Sequence, residues 1–173
     1  MRKKKDLEDA LAAFVQGEVL EGDNQYFCDE CQKKVDALQR DCLSEIPDHL
    51  CFALKRFDLD LETFQNVLIN DYFELPNIVD LKPFTHAALS EKSEEEKSSS
   101  AENNIYCLSG AIIYSGSSPT SGFYYSLAKD REDGETWYKM GPKGKEKFDP
   151  KDIPKEAFGG EGRYRLMFLW LFY

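Results

Sequence analysis

The chain is 173 residues long and carries 32 acidic against 22 basic side chains, a formal charge of −10. Neutralising phosphates takes an excess of Lys and Arg, so nucleic acid and anionic membrane are excluded as expected partners and a basic protein surface is favoured. With 42% hydrophobic and 13% aromatic residues, the chain has enough apolar surface for one buried core and is not disordered throughout.

Leu7, Ala10, Leu11, Phe14 and Val15 recur at helical spacing and Gly17 follows as a stop, which predicts a short amphipathic helix over 6–16. The Met1-Arg2-Lys3-Lys4-Lys5 start leads into no apolar run, so neither a secretory signal nor a membrane anchor is expected. Glu21-Gly22-Asp23-Asn24 reads as a turn, and Tyr26-Phe27-Cys28 as the entry to a knuckle. The run Leu50–Phe57 predicts one strand with a basic end, and Val67–Leu75 one or two more before Pro76. Residues 88–104 are polar, acidic and of low complexity, and cannot bury enough apolar surface to offset chain entropy, so a disordered insertion is expected there. Strand-like runs return at Tyr106–Tyr114, Gly122–Lys129, Thr136–Met140 and Leu166–Tyr173, with the Gly/Ser-rich stretch Ser115–Gly122 expected as a loop. A helix followed by many strands predicts an α+β fold with mostly antiparallel pairing.

Five cysteines, Cys28, Cys31, Cys42, Cys51 and Cys107, are an odd set, and reduced thiols in the cytoplasm or nucleus are expected. Cys28-Asp29-Glu30-Cys31 has the spacing at which one tight turn presents two thiolates to a zinc ion. Tetrahedral zinc takes four ligands and one pair is half a site, so bound zinc and two ordinary thiols both remain open. Cys42 and Cys51 fall in apolar surroundings that suit buried thiols. His49 and His86 sit in loop-like settings with no acid at a catalytic spacing, and read as surface or satisfied histidines.

Several blocks in order resemble one family. They are Tyr26-Phe27-Cys28-Asp29-Glu30-Cys31; Leu54-Lys55-Arg56-Phe57-Asp58; Ile69-Asn70-Asp71-Tyr72-Phe73-Glu74-Leu75-Pro76; Leu108-Ser109-Gly110; Gly122-Phe123-Tyr124-Tyr125-Ser126; Trp137-Tyr138-Lys139; Ala157-Phe158-Gly159-Gly160-Glu161; and Leu171-Phe172-Tyr173. Together they resemble the ubiquitin-specific proteases, papain-like cysteine deubiquitinases, and within them the fat-facets-like branch. The resemblance spans nearly all of residues 1–173 and implies the C-terminal half of such a domain: a palm and part of the fingers, with residues 24–60 as fingers and palm strands and 105–173 as palm strands. It further implies that the thumb, with its nucleophilic cysteine and the other Cys pair of the zinc site, belongs ahead of residue 1, so an N-terminal half-domain is an expected partner.

Within the matching blocks the residues that carry the chemistry differ. The resemblance places Phe123 at the family's general-base histidine and Gly141 at its Asp or Asn, with Tyr114 at a third position usually held by His. No cysteine here lies in a segment like the nucleophile box. Phe73, Tyr124 and Gly122 fall where the resemblance implies contact with the ubiquitin tail; sheet packing accounts for the two aromatics equally well. The expected function is that of an inactive deubiquitinase-like module that binds ubiquitin or a ubiquitinated protein. The alternatives are a small structural module holding zinc through Cys28 and Cys31, or a non-functional gene fragment.

Overall fold

A computed structural model describes residues 4–90 and 104–160, together with the backbone of a strand at 165–172. The chain separates into two compact units, one made of Met1–Leu7, Pro47–Val79 and Ile105–Tyr173, the other of Glu8–Ile46 and Asp80–Asn104. The class is α+β, and the ladders among the described residues are antiparallel.

Helix α1 (Leu7–Val15), which belongs to the second unit from Glu8 onward, buries Leu7, Leu11 and Val15, residues four apart and hence on one stripe. Gly17 ends it at φ +70°, where a Cβ would lie 2.5 Å from the Arg40 Cβ, so glycine is required both for the left-handed turn and for the close approach. Strand β1 (Glu18–Leu20) follows and pairs with β4 (Ala37–Gln39); between them β2 (Tyr26–Cys28) and β3 (Lys33–Val35) form a separate hairpin. Helix α2 (His86–Leu89) is capped by the Thr85 hydroxyl, which accepts from the Ala88 N–H at 3.3 Å. Ala88 and Leu89 thus belong to a helix and not to the polar insertion expected from residue 88; residues 91–103 of that insertion lie outside the described residues. His86 opens this helix and His49 opens a strand, where loops were expected.

The first unit is built on one large sheet. Its strands are β5 (His49–Ala53), β8 (Ile78–Asp80), β9 (Ile105–Ser118), β10 (Ser121–Lys129), β11 (Trp137–Gly141), β12 (Gly144–Phe148) and β13 (Arg165–Phe172). They run in the order β12-β11-β10-β9-β13-β5, with β8 also paired to β9. Strands β6 (Phe57–Asp60) and β7 (Gln65–Leu68) form a separate hairpin. Helix α3 (Ile153–Ala157) enters through Pro154 in its first turn and buries Ile153 and Ala157.

Strand β9 changes which of its residues face the core. Tyr106 and Leu108 are buried, and then the buried set continues at Ala111 and Ile113. The register explains the change: Gly110 faces Trp170 while Leu108 faces Leu171, leaving Ser109 as an extra residue. Such a bulge reverses the side-chain alternation beyond it. Past the bulge, Ala111, Ile113, Tyr125, Leu127 and Trp137 are all buried and share one face by register.

Three further expectations change. The run Leu50–Phe57 is two strands, because the chain leaves the sheet after Ala53 and restarts at Phe57. In the break sits Arg56, 5% exposed, whose Nη1 donates to the Ile69 and Asp71 carbonyls. Ser115–Gly122 is no loop: the β9–β10 ladder continues through it, and only Pro119 and Thr120 turn. Gly116 and Gly122 face each other there, so the composition suggests a loop, yet Tyr114 lies against the pair and its hydroxyl donates to the Ser118 carbonyl at 2.5 Å. Finally, Cys51 is exposed on β5 and Cys42 half-buried outside any strand, so neither is a buried strand thiol.

Candidate functional site

Strand β10 alternates sides, so Phe123, Tyr125 and Leu127 point to one face and Tyr124 to the other. Gly141, at the end of β11, follows the Met140–Ser126 pair, and a Cβ placed on it would lie 3.2 Å from the Tyr125 Cβ. Phe123 and Gly141 therefore line one cleft of about 500 Å³, with Tyr125 between them and Lys139, Lys143 and Glu156 around it. Phe123 is 50% exposed at its edge, with its ring 6.2 Å from that of Tyr125. The turn Gly141-Pro142-Lys143-Gly144 joining β11 to β12 forms one lip.

The ionisable groups in this cleft engage one another. Tyr125 donates its hydroxyl to Glu156 Oε2 at 2.6 Å, and Lys139 donates to the same oxygen at 3.1 Å. The Lys139 ammonium also lies 4.5 Å from the Tyr125 ring centroid, a cation–π arrangement. Helix α3 brings Glu156 to a tyrosine 31 residues earlier in the chain, a proximity that no local spacing announces. Sequence reasoning assigned Tyr125, Lys139 and Glu156 no role here. No cysteine or histidine lies among the described residues that line the cleft.

The other singled-out residues fall in different places. Tyr124 is 52% exposed, its ring 5.1 Å from that of Tyr114, and Gly122 beside it is exposed at the hairpin end. Phe73 is only 9% exposed. The Arg56 guanidinium carbon lies 6.0 Å from the Phe73 ring centroid, and the Phe73 backbone N–H donates to the Phe158 carbonyl at 2.7 Å. The structure thus brings Phe123 and Gly141 together, keeps Tyr124 and Gly122 at the surface, and packs Phe73 inside.

Cys28 ends β2 and Cys31 lies within the β2–β3 turn, in which Gln32 adopts φ +51°. The backbone N–H of Cys31, then its thiol, then the Glu30 N–H hold the Cys28 thiol below its ordinary pKa of 9.0, which favours the thiolate a metal needs. No cluster of three or more His, Cys, Asp or Glu that could hold a metal ion occurs among the described residues. Two thiols fit half of a tetrahedral zinc site and leave it incomplete.

The family profile described as ubiquitin carboxyl-terminal hydrolase matches residues 8–157. The chain is 34% identical to ubiquitin carboxyl-terminal hydrolase 9X of Mus musculus over 182 residues, covering 93% of this chain and 7% of that protein. It is 35% identical over 173 residues to the probable ubiquitin carboxyl-terminal hydrolase FAF of Drosophila melanogaster, again 93% of this chain but 6% of that protein. It therefore spans a small part of the length of these relatives. Among solved structures, it resembles a chain of the SAGA Ubp8/Sgf11/Sus1/Sgf73 DUB module bound to ubiquitin aldehyde, with a TM-score of 0.71 and 25% identity, covering 99% of this chain and 34% of that one. A profile match across most of the chain, relatives above 30% identity along 93% of it and the shared antiparallel architecture converge, and the chain belongs to the ubiquitin carboxyl-terminal hydrolase family.

Proposed function

We propose that this chain is a ubiquitin-binding member of its family that does not hydrolyse the ubiquitin tail. The observation that carries the proposal is the pairing of Phe123 and Gly141 in one cleft. A thiol protease needs an imidazole to hold its nucleophile as thiolate and to protonate the leaving amine, and a third group to orient that imidazole. A phenyl ring moves no proton and a bare backbone orients nothing. Of the carboxylates and ammonium groups that line the cleft, Glu156 and Lys139 are bonded to each other. By analogy with serine proteases, loss of the base alone removes on the order of 10⁶ in kcat.

Ubiquitin as the ligand is supported by family membership and by the related Ubp8 module, whose structure holds ubiquitin aldehyde. In this reading the end of the tail enters the cleft of Phe123 and Gly141 after passing the exposed Gly122 and Tyr124 at the hairpin end, and Phe73 packs inside. The test has two arms. A ubiquitin–fluorophore conjugate incubated with the protein should release fluorophore only at the background rate, while labelled ubiquitin should give a saturable titration. Hydrolysis that disappears on replacing Phe123 or Gly141 would refute the proposal.

A second reading, a zinc-dependent module, has in its favour the placement of Cys28 and Cys31 at one tight turn between β2 and β3. It requires further ligands in addition to Cys28 and Cys31. Metal analysis of the purified protein beside a Cys28→Ser variant decides it: stoichiometric zinc lost in the variant supports it, and no zinc in either removes it.

A further inference from the structure

We infer that the cleft at Phe123 and Gly141 recognises a free carboxylate, and so prefers ubiquitin with an unattached C-terminus over ubiquitin joined to another molecule through it. This deepens, and rests on, the reading that the cleft receives the ubiquitin tail. The argument is one of charge. Three lysines, Lys139, Lys143 and Lys145, and two glutamates, Glu146 and Glu156, line the cleft, a local excess of positive charge in a chain of net charge −10.

Two of the three ammonium groups are already engaged. Lys139 is bonded to Glu156 at 3.1 Å. Lys145 lies 3.7 Å from the centroid of the Tyr138 ring, and Tyr138 alternates to the face of β11 opposite Lys139. Glu146 is opposite Lys139 in the β11–β12 ladder and exposed. Lys143 remains. It stands in the exposed turn two residues after Gly141, and among the described residues it has no carboxylate at ion-pair distance.

A Cβ at Gly141 would lie 3.2 Å from the Tyr125 Cβ, so the bare backbone leaves that space in the cleft free, and Lys143 and the Phe123 ring line the same cleft, the ring as an apolar wall in place of a base. A cation beside an apolar wall suits a carboxylate with a short aliphatic stem. An isopeptide or amide at the same atom is neutral and loses the Coulomb attraction to Lys143. For a largely exposed pair, that difference is on the order of five-fold in affinity and shrinks as salt screens it.

The experiment titrates the protein with ubiquitin and with ubiquitin carrying a C-terminal amide, at low and high salt. Expected are a preference for the acid of about five-fold at low salt and its decline at high salt. Lys143→Ala should bring the acid-to-amide ratio to one, Lys143→Glu should reverse it, and Lys143→Arg should keep it. Thermal melts establish that each variant is folded. Equal affinities for acid and amide in the unmodified protein overturn this inference while ubiquitin binding stands. A preference that survives Lys143→Ala overturns the assignment to Lys143. Failure of both forms to bind overturns the proposed function, and this inference with it.

Discussion

Gly122→Ala is a sharp test of how the hairpin end is built. A Cβ on Gly122 would lie 2.5 Å from Tyr114 Cζ and 2.6 Å from the Ser115 carbonyl oxygen, well inside van der Waals contact. The Tyr114 ring cannot swing aside, because it is 4% exposed and held between Phe57, at 5.5 Å, and Tyr124, at 5.1 Å. Overpacking a buried site costs about 1–3 kcal/mol, and displacing the Tyr114 hydroxyl from the Ser118 carbonyl adds about 1 kcal/mol. The sum is about 2–4 kcal/mol, which at roughly 2–4 °C per kcal/mol for a domain of this size lowers Tm by about 4–16 °C. Thermal and urea unfolding followed by circular dichroism measure it. Replacing Tyr114 with Leu makes room, so the double variant Gly122→Ala/Tyr114→Leu should be less destabilised than the two single effects summed. A Gly122→Ala protein that melts with the native one, or strict additivity in the double variant, would refute the close packing of Tyr114 against this glycine pair.

Tyr125→Phe removes a 2.6 Å hydrogen bond to a carboxylate in the cleft and should lower stability by about 1–3 kcal/mol; no change in the urea midpoint would show that the bond does not persist in solution. Leu127→Ala empties a site 1% exposed in the middle of β10 and should cost about 2–5 kcal/mol, read from the same unfolding curves. The Thr136 hydroxyl and the N–H groups of Glu135 and Thr136 hold the Asp133 carboxyl at about 2, down from 3.8. A folded pKa below the unfolded one gives stability that is present above pH 3.8 and lost as pH falls through about 2. Melts of the native protein and Asp133→Asn across that range should therefore differ most above it and converge below it; a constant gap would contradict the turn geometry.

Part of this architecture is legible in the residues alone. The α+β class and antiparallel pairing follow from one apolar-spaced helix ahead of several strand-length runs, and eight family-like blocks in order point to the same fold. Strand β12 shows why other parts are not. Its Lys145, Glu146 and Lys147 carry no apolar alternation, and they become strand only because Lys147 and Glu146 face Tyr138 and Lys139 of β11. The Ser109 bulge is hidden in a similar way, since it breaks the alternation by which a strand is read. The glycine pair at 116 and 122 imitates a loop until Tyr114 is seen packed against it.

At the site the division is equally physical. The identities of Phe123 and Gly141 are properties of the chain: which side chains can transfer a proton is chemistry that needs no coordinates. That these two positions share one cleft, that Glu156 engages both Tyr125 and Lys139, and that Lys143 lines the same cleft with no carboxylate at ion-pair distance among the described residues are decided only by folding. Contacts between residues far apart along the chain depend on register and on where a helix lands, and neither is encoded in local spacing.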